Sequence, residues 1–164
     1  MAKKDYVIVN ADHSDIEQLL ELYRSFYGGP AGWDSEYPNL RTIEFDLARN
    51  GLYVMKNERD EIIAAAAVDD DPDAENLDIW SPELKPSEIV SRICVRKDVQ
   101  NRGLAQVIVS HIIGELGKRG KKGVHLLVRE GNDIAMKSYA HLGFKTAGAC
   151  DLYNAHFICM ERKV

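Results

Sequence analysis

The sequence predicts one α/β domain, in an α+β arrangement, with a mixed central sheet. Three observations predict it. Short apolar, β-branched runs alternate with stretches of helical spacing along the whole chain. No repeat, low-complexity segment or linker divides it. Its 164 residues, 45% hydrophobic and 29% charged, suit one folded domain over residues 1–164 with one sizeable core.

The elements follow in order. Tyr6 to Val9 is a short apolar strand. Ser14-Asp15-Ile16-Glu17 has the form of a capping box, with Ser14 as N-cap and Glu17 reaching back. Ile16, Leu19, Leu20, Tyr23 and Phe26 then recur at helical spacing until Gly28-Gly29-Pro30. Ile43, Phe45, Leu47 and Ala48 predict a second helix, stopped near Asn50-Gly51. Leu52 to Met55 and Ile62 to Val68 are two strands joined by the polar turn Asn57 to Asp60, so a hairpin is expected.

The aspartate-rich stretch Asp69 to Asp78 contains Pro72 and reads as a loop. Ile89 to Val95 is a third apolar run. Leu104, Val107, Ile108, His111, Ile112 and Leu116 mark one face of a helix, and Val124 to Val128 is a buried strand. Asn132 to Leu142 is a helix with Asn132 as N-cap and Gly143 at C′. Phe144 to Cys150 and Tyr153 to Met160 close the chain as a hairpin. The predicted order is β-α-α-β-β-β-α-β-α-β-β: about seven strands and about four helices.

Composition narrows the function. A net charge of −5 and a pI near 5.5 disfavour a general nucleic-acid binder. No run reaches membrane-spanning length, and Met1-Ala2-Lys3-Lys4-Asp5-Tyr6 is not followed by a signal-peptide core. Cys94, Cys150 and Cys159 are odd in number, far apart and set in apolar sequence, which suits buried thiols in a reducing cytoplasm. Neither they nor the five histidines show metal-ligand spacing, so no metal is expected.

The chemistry concentrates in Gln100-Asn101-Arg102-Gly103-Leu104-Ala105, between a strand and a helix. The first N–H groups of that helix and its dipole form an anion site. Gly103 lets an anion approach the backbone, Ala105 keeps the first turn small, and Arg102 supplies a positive charge. A plain strand-to-helix turn uses the same residue types. Neither GxxxxGK[ST] nor GxGxxG is present, so the common nucleotide loops do not fit.

This stretch resembles the Q/R-x-x-G-x-G/A motif of the GNAT superfamily of N-acetyltransferases. Glu88-Ile89-Val90-Ser91-Arg92-Ile93-Cys94-Val95 resembles the family's central strand. Asn132, Ala135, Tyr139 and Gly143-Phe144 resemble its N-x-x-A-x-x-x-Y-x-x-x-G-F pattern. The motif likeness covers about Ser87 to Met160; the earlier residues match only in topology. It implies a sheet splayed between two central parallel strands, with acetyl-coenzyme A in the gap. By that resemblance Ile93, Cys94 and Val95 would bind the pantetheine arm. Gln100, Asn101, Arg102, Gly103, Leu104 and Ala105 would hold the pyrophosphate, and Asn132, Ala135 and Tyr139 would face the cofactor from the next helix.

The implied reaction is direct attack of a primary amine on the thioester. A lysine-like amine titrates near ~10.4 and must lose a proton first. Glu88 is the candidate base, with water as the alternative. Tyr139 is the candidate acid for the leaving thiolate, since a tyrosine stays protonated at neutral pH. An ordinary exposed glutamate and a packed aromatic are the blander readings of these two. Cys94 reads as a small buried side chain rather than an acyl carrier.

Trp33 and Tyr37, in the long aromatic loop from Tyr27 to Pro38, are candidate walls of the acceptor site. The acidic loop Asp69 to Glu75 would attract a cationic amine or would simply be solvated. The expected partners are acetyl-coenzyme A and an amine of a small molecule or peptide, in the cytoplasm, without nucleic acid or membrane. Homodimerisation is left open. A non-catalytic acyl-coenzyme A sensor is the alternative function.

Overall fold

A computed structural model describes residues 5–164; the lysine-bearing start, residues 1–4, lies outside the described residues. The seven strands are β1 (Tyr6–Asn10), β2 (Leu52–Asn57), β3 (Ile62–Asp69), β4 (Ser87–Val95), β5 (Gly123–Arg129), β6 (Lys145–Leu152) and β7 (Ala155–Lys163). They form one sheet in the order β1-β2-β3-β4-β5-β7-β6. Only β4 and β5 pair in parallel; every other neighbour is antiparallel. The helices are α1 (Ile16–Arg24), α2 (Leu40–Ala48), the single turn α3 (Pro72–Glu75), α4 (Leu104–Lys118) and α5 (Asp133–His141).

The sheet is covered on both faces. α4 and α5 pack one side through Ile108, Ile112, Leu116 and Tyr139, and α1 and α2 pack the other through Leu19, Tyr23 and Ile43. Between them run Ala64, Ala65, Ala66 and Ala67, all fully buried. Small side chains here let helices on both faces lie close to the same strand.

Two features open the centre of the sheet. The β4–β5 pairing runs only through Ser87↔Gly123, Glu88↔Val124 and Ile89↔His125, and then the strands part. On the other side of β4, Ala65 pairs with Cys94 but Ala67 pairs with Ser91, so Arg92 and Ile93 together face Ala66. This is a β-bulge, which bends its strand and raises its twist. Arg92 sits there with φ +53°, an uncommon conformation for a side-chain-bearing residue.

The Arg92 side chain is held from three directions. Its Nε and Nη2 donate to the two Asp46 carboxylate oxygens at 3.0 and 2.6 Å. Nη1 donates to Asp69 at 3.0 Å and to the Tyr37 hydroxyl at 2.8 Å. Asp46 is fully buried and Arg92 nearly so, so this fork ties α2, the end of β3 and the α1–α2 loop to the bulge. Burial pushes the Asp69 carboxyl upward, but the Arg92 charge and hydrogen bond outweigh it and hold it below its usual value.

The sequence-based boundaries hold with two corrections. The first capping box is made by Asp12 and Asp15 around a 3₁₀ turn, not by Ser14 and Glu17. Asp12 Oδ1 accepts from Ser14 N at 2.9 Å, and Asp15 returns the contact to Asp12 N at 2.9 Å. An aspartate two residues earlier satisfies the same orphan donors and starts the turn sooner. The aspartate-rich stretch is also not merely solvated. Asp71 caps α3 and accepts from the Tyr153 hydroxyl in the β6–β7 turn, while Asp69 binds Arg92. Of the three thiols, Cys94 and Cys159 are buried and Cys150 is half-buried.

Candidate active site

The gap left by β4 and β5 is a cleft of about 720 Å³. That volume suits a ligand of cofactor size. One wall is the C-terminal end of β4, the turn that follows it, and the first turns of α4 and α5. The other wall is the loop after α1.

The first wall is largely backbone. Asn101 and Gly103 both have positive φ, +66° and +74°. Gly103 is the N-cap of α4 and offers no side-chain oxygen, so the first amides of this 15-residue helix lack a side-chain cap. By contrast α2 is capped by Asn39 and α5 by Asn132. A Cβ placed on Gly103 would meet nothing within 4 Å, so the turn is open on that side. Uncapped amides at the positive end of a long helix form an anion cradle. Phosphate-bearing ligands fit it for that reason.

Most of the sequence-predicted residues converge on this wall. Ile93, Cys94 and Val95 line it from β4. Gln100, Asn101, Gly103, Leu104 and Ala105 line it from the turn, and Asn132, Ala135 and Tyr139 from α5. Asn132 also caps its own helix through Ala135 N at 3.4 Å. Gln100 has a local task as well, donating from Nε2 to the Val95 carbonyl at 3.0 Å. Arg102 is exposed and does not line the cleft.

Tyr139 and Cys94 both line this wall. Tyr139 is buried against Phe144, edge to face at 6.2 Å. Burial, with a smaller contribution from Cys94, pushes its phenol well above the ordinary value. The neutral, proton-donating form is therefore the resting form. Burial likewise pushes the Cys94 thiol up to about 12. It is a neutral thiol at physiological pH, which agrees with a packing role.

Apart from Phe26, the second wall comes from residues that the helical spacing did not single out. Phe26, Tyr27, Gly28, Gly29, Pro30 and Ala31 line the cleft together with Trp33. Trp33 is buried and packs edge-on against Tyr23 at 5.6 Å and Phe26 at 6.0 Å. Lys97 also lines the cleft, its Nζ 5.5 Å from the Phe26 ring centre. The spacing had assigned Phe26 to the core face of α1. Nothing in the sequence pattern marked Lys97.

Glu88 and Tyr37 are not brought to the cleft. Glu88 lies on the still-paired stretch of β4 and ion-pairs with Lys121 at 3.1 Å. Ile93 is five positions further on, about 16 Å along an extended strand. Tyr37 instead turns its hydroxyl to Arg92, leaving its ring partly exposed. The buried arginine needs that acceptor, which explains why the tyrosine is drawn away from the opening. Among the described residues no group of three or more His, Cys, Asp or Glu side chains is placed to hold a metal.

A seven-stranded sheet split between its one parallel pair, with an anion cradle at the split, defines an α/β domain of the acetyltransferase fold. Residues 73–152 match the family model described as FR47-like protein. Over 55 residues the chain is 42% identical to the ribosomal protein bS18-alanine N-acetyltransferase of Escherichia coli K12, covering 34% of this chain and 37% of that one. The aligned segment thus spans little more than a third of that relative's length. The crystal structure of the Escherichia coli ribosomal-protein-S18-alanine N-acetyltransferase superposes with a TM-score of 0.73 at 20% identity, covering 97% of this chain and 94% of that one. A phosphinothricin acetyltransferase from Sinorhizobium meliloti, in complex with acetyl-coenzyme A, gives 0.75 at 14% identity over 98% and 89%. At these identities the structural likeness concerns the fold. The FR47-like match covers the stretch that carries the cleft motifs, Gln100–Ala105 and Asn132–Phe144, and it is there that the chain is similar to acetyltransferases.

Proposed function

We propose that the protein transfers an acetyl group from acetyl-coenzyme A to a primary amine. The observation that carries this reading is the placement of Tyr139 and the uncapped Gln100–Ala105 turn along one cleft, opened where β4 and β5 part. The cradle suits a pyrophosphate, and the exposed edge of Ile93 to Val95 suits an extended amide-bearing arm that adds like a strand. Acetyl-coenzyme A supplies a thioester, a reactive acyl donor.

Tyr139 is the proton donor for the departing thiolate. Its raised pKa keeps it protonated, and it lines the cleft while the rest of its ring stays packed. The amine nitrogen forms a bond to the acyl carbon, the carbon–sulfur bond breaks, and the thiolate takes the phenol proton. Solvent then restores the phenol with the proton that the amine releases. None of the cleft-lining residues is a carboxylate. We therefore assign the removal of the ammonium proton to water rather than to Glu88, whose carboxylate is ion-paired at the closed end of the strands.

The acceptor is a small-molecule or peptide amine, entering past the loop that carries Trp33. The relative of Escherichia coli acts on an alanine of a ribosomal protein, which makes a peptide amino terminus one member of that range. A screen of amines with acetyl-coenzyme A, reading free thiol, tests the reading. Acceptor-dependent thiol release is expected. Tight acetyl-coenzyme A binding with no turnover on any amine would favour a sensor instead.

A further inference from the structure

We propose that Arg129 is the acceptor-recognition residue and that the preferred acceptor carries a carboxylate beside its amine, an α-amino acid being the simplest case. This rests on the acetyl-transfer reading above and specifies its substrate.

Arg129 ends β5, on the strand that turns away from β4. Its guanidinium lies directly against Gly32 in the α1–α2 loop, where an added Cβ would fall 1.6 Å from Nη1. Gly32 has φ +76°, so both the backbone and the space exclude a side chain there. The residues on either side of it, Ala31 and Trp33, line the cleft. Arg129 therefore reaches from the diverging strand to the loop that carries Ala31 and Trp33, on the side of the sheet that faces α1 and α2.

Its charge has no counterpart among the described residues. Every other buried or half-buried arginine there has a partner. Arg49 and Arg92 are in ion pairs with Asp46, Arg96 is paired with Asp98, and Arg162 donates to the Lys163 carbonyl. Arg129 is half-buried and has neither an ion pair nor a hydrogen bond within the described residues. A partly desolvated guanidinium with free donors is suited to a carboxylate, which it can bind through two parallel bonds.

The surroundings fit the same ligand. Phe157 stands directly opposite Arg129 in the β5–β7 register, and Leu127 is two residues before it, so the three share one face of the sheet. Both apolar neighbours are only half-buried. A carboxylate on Arg129 with an apolar group over Phe157 describes an apolar amino acid better than a polyamine. A second cationic group near Arg129 would be repelled, so the acidic stretch Asp69 to Glu75 is not the recognising surface.

The experiment compares apolar L-amino acids with their amides as acceptors, at equal concentrations of free amine, in the wild type and in Arg129→Gln and Arg129→Lys. The wild type is expected to favour the acids by roughly 10- to 100-fold in kcat/KM, the size of a hydrogen-bonded charge contact. Arg129→Gln is expected to lose that preference while keeping its acetyl-coenzyme A affinity, and Arg129→Lys to recover part of it. Equal use of acid and amide by the wild type, or equal loss of both in Arg129→Gln, overturns the assignment. A parallel titration with N-acetylphenylalanine and its amide, coenzyme A present, needs no turnover. Tighter binding of the acid, lost in Arg129→Gln, supports the role even if the chemistry is misread. Equal binding, or none by either compound, overturns it. Acetylation of neutral amines without acid preference would leave acetyl transfer standing and remove only Arg129.

Discussion

On one side of the cleft, the turn from Gln100 to Ala105 and the start of α5 present mostly backbone groups. On the other, Phe26, Trp33 and Lys97 present side chains from segments far apart in sequence. A backbone cradle needs particular residues at fixed local spacing, because only a glycine or a tolerant asparagine adopts positive φ there without strain. A side-chain wall needs only that distant segments meet. The first kind of wall leaves a pattern in the sequence; the second does not. The same contrast separates the two arginines. Arg92 is locked into Asp46 and Asp69 and holds the fold, whereas Arg129 keeps its donors free.

The largest effect is expected at Tyr139, on the first of these walls. Tyr139→Phe removes the hydroxyl and keeps most of the ring packing, so kcat should fall by about 10²–10⁴ with little change in acetyl-coenzyme A affinity. The loss should shrink with acyl donors whose thiol is a better leaving group. Because burial raises the phenol above its ordinary value, its acid form persists as pH rises. The rate should show no loss assignable to Tyr139 below pH ~10. Stopped-flow and steady-state pH profiles check both points, and a full-rate Phe variant would leave Tyr139 a packed aromatic.

Next comes the support of the side-chain wall. Asp46→Ala leaves Arg92 buried at the bulge with only Asp69 and Tyr37 to hold it. Breaking a buried pair from one side costs about 3–5 kcal/mol, and the remaining contacts favour the low end. Denaturant midpoints should fall accordingly. An unchanged midpoint would mean that water reaches Arg92 freely.

How much of this was legible follows from the same contrast. The order of elements along the chain and the cradle were carried by local patterns: alternating apolar runs, Gly103 in its turn, and Asn132 capping the helix that bears Tyr139; the split at β4 was implied by the family resemblance alone. The aromatic loop was legible as a segment, and Trp33 was found. Its partner Tyr37 was misplaced because a bulge arginine, 55 residues away in sequence, claims its hydroxyl. Glu88 looked suitable by chain position alone, but the register sets it on the paired stretch, beside Lys121. Arg129 was invisible because its significance lies in contact with Gly32.

A smaller effect concerns Cys94. With its thiol pushed up to about 12, only roughly one molecule in ten thousand carries the thiolate at pH 8. Alkylation by iodoacetamide should modify half-buried Cys150 first and reach Cys94 only on unfolding. Peptide mass mapping over time reads the order, and early labelling of Cys94 would place an open, ionised thiol in the cleft. The smallest effect is expected for Glu88→Gln. With the carboxylate away from the cleft, kcat/KM and its pH profile should stay within about twofold of wild type, as for surface changes. A lost basic limb in that profile would return the base role to Glu88.

The central claim is that acetyl-coenzyme A lies in the split with its phosphates on the Gly103 turn. Calorimetric titration of acetyl-coenzyme A into the wild type and Gly103→Val tests it most directly. A valine side chain would stand where Gly103 leaves the turn open, and at φ +74° it would strain the cradle. The account predicts clear binding to the wild type and a dissociation constant at least about tenfold higher, equivalent to about 1.4 kcal/mol, in a variant that still folds. Equal affinity in the folded variant would contradict it and move the phosphate site elsewhere.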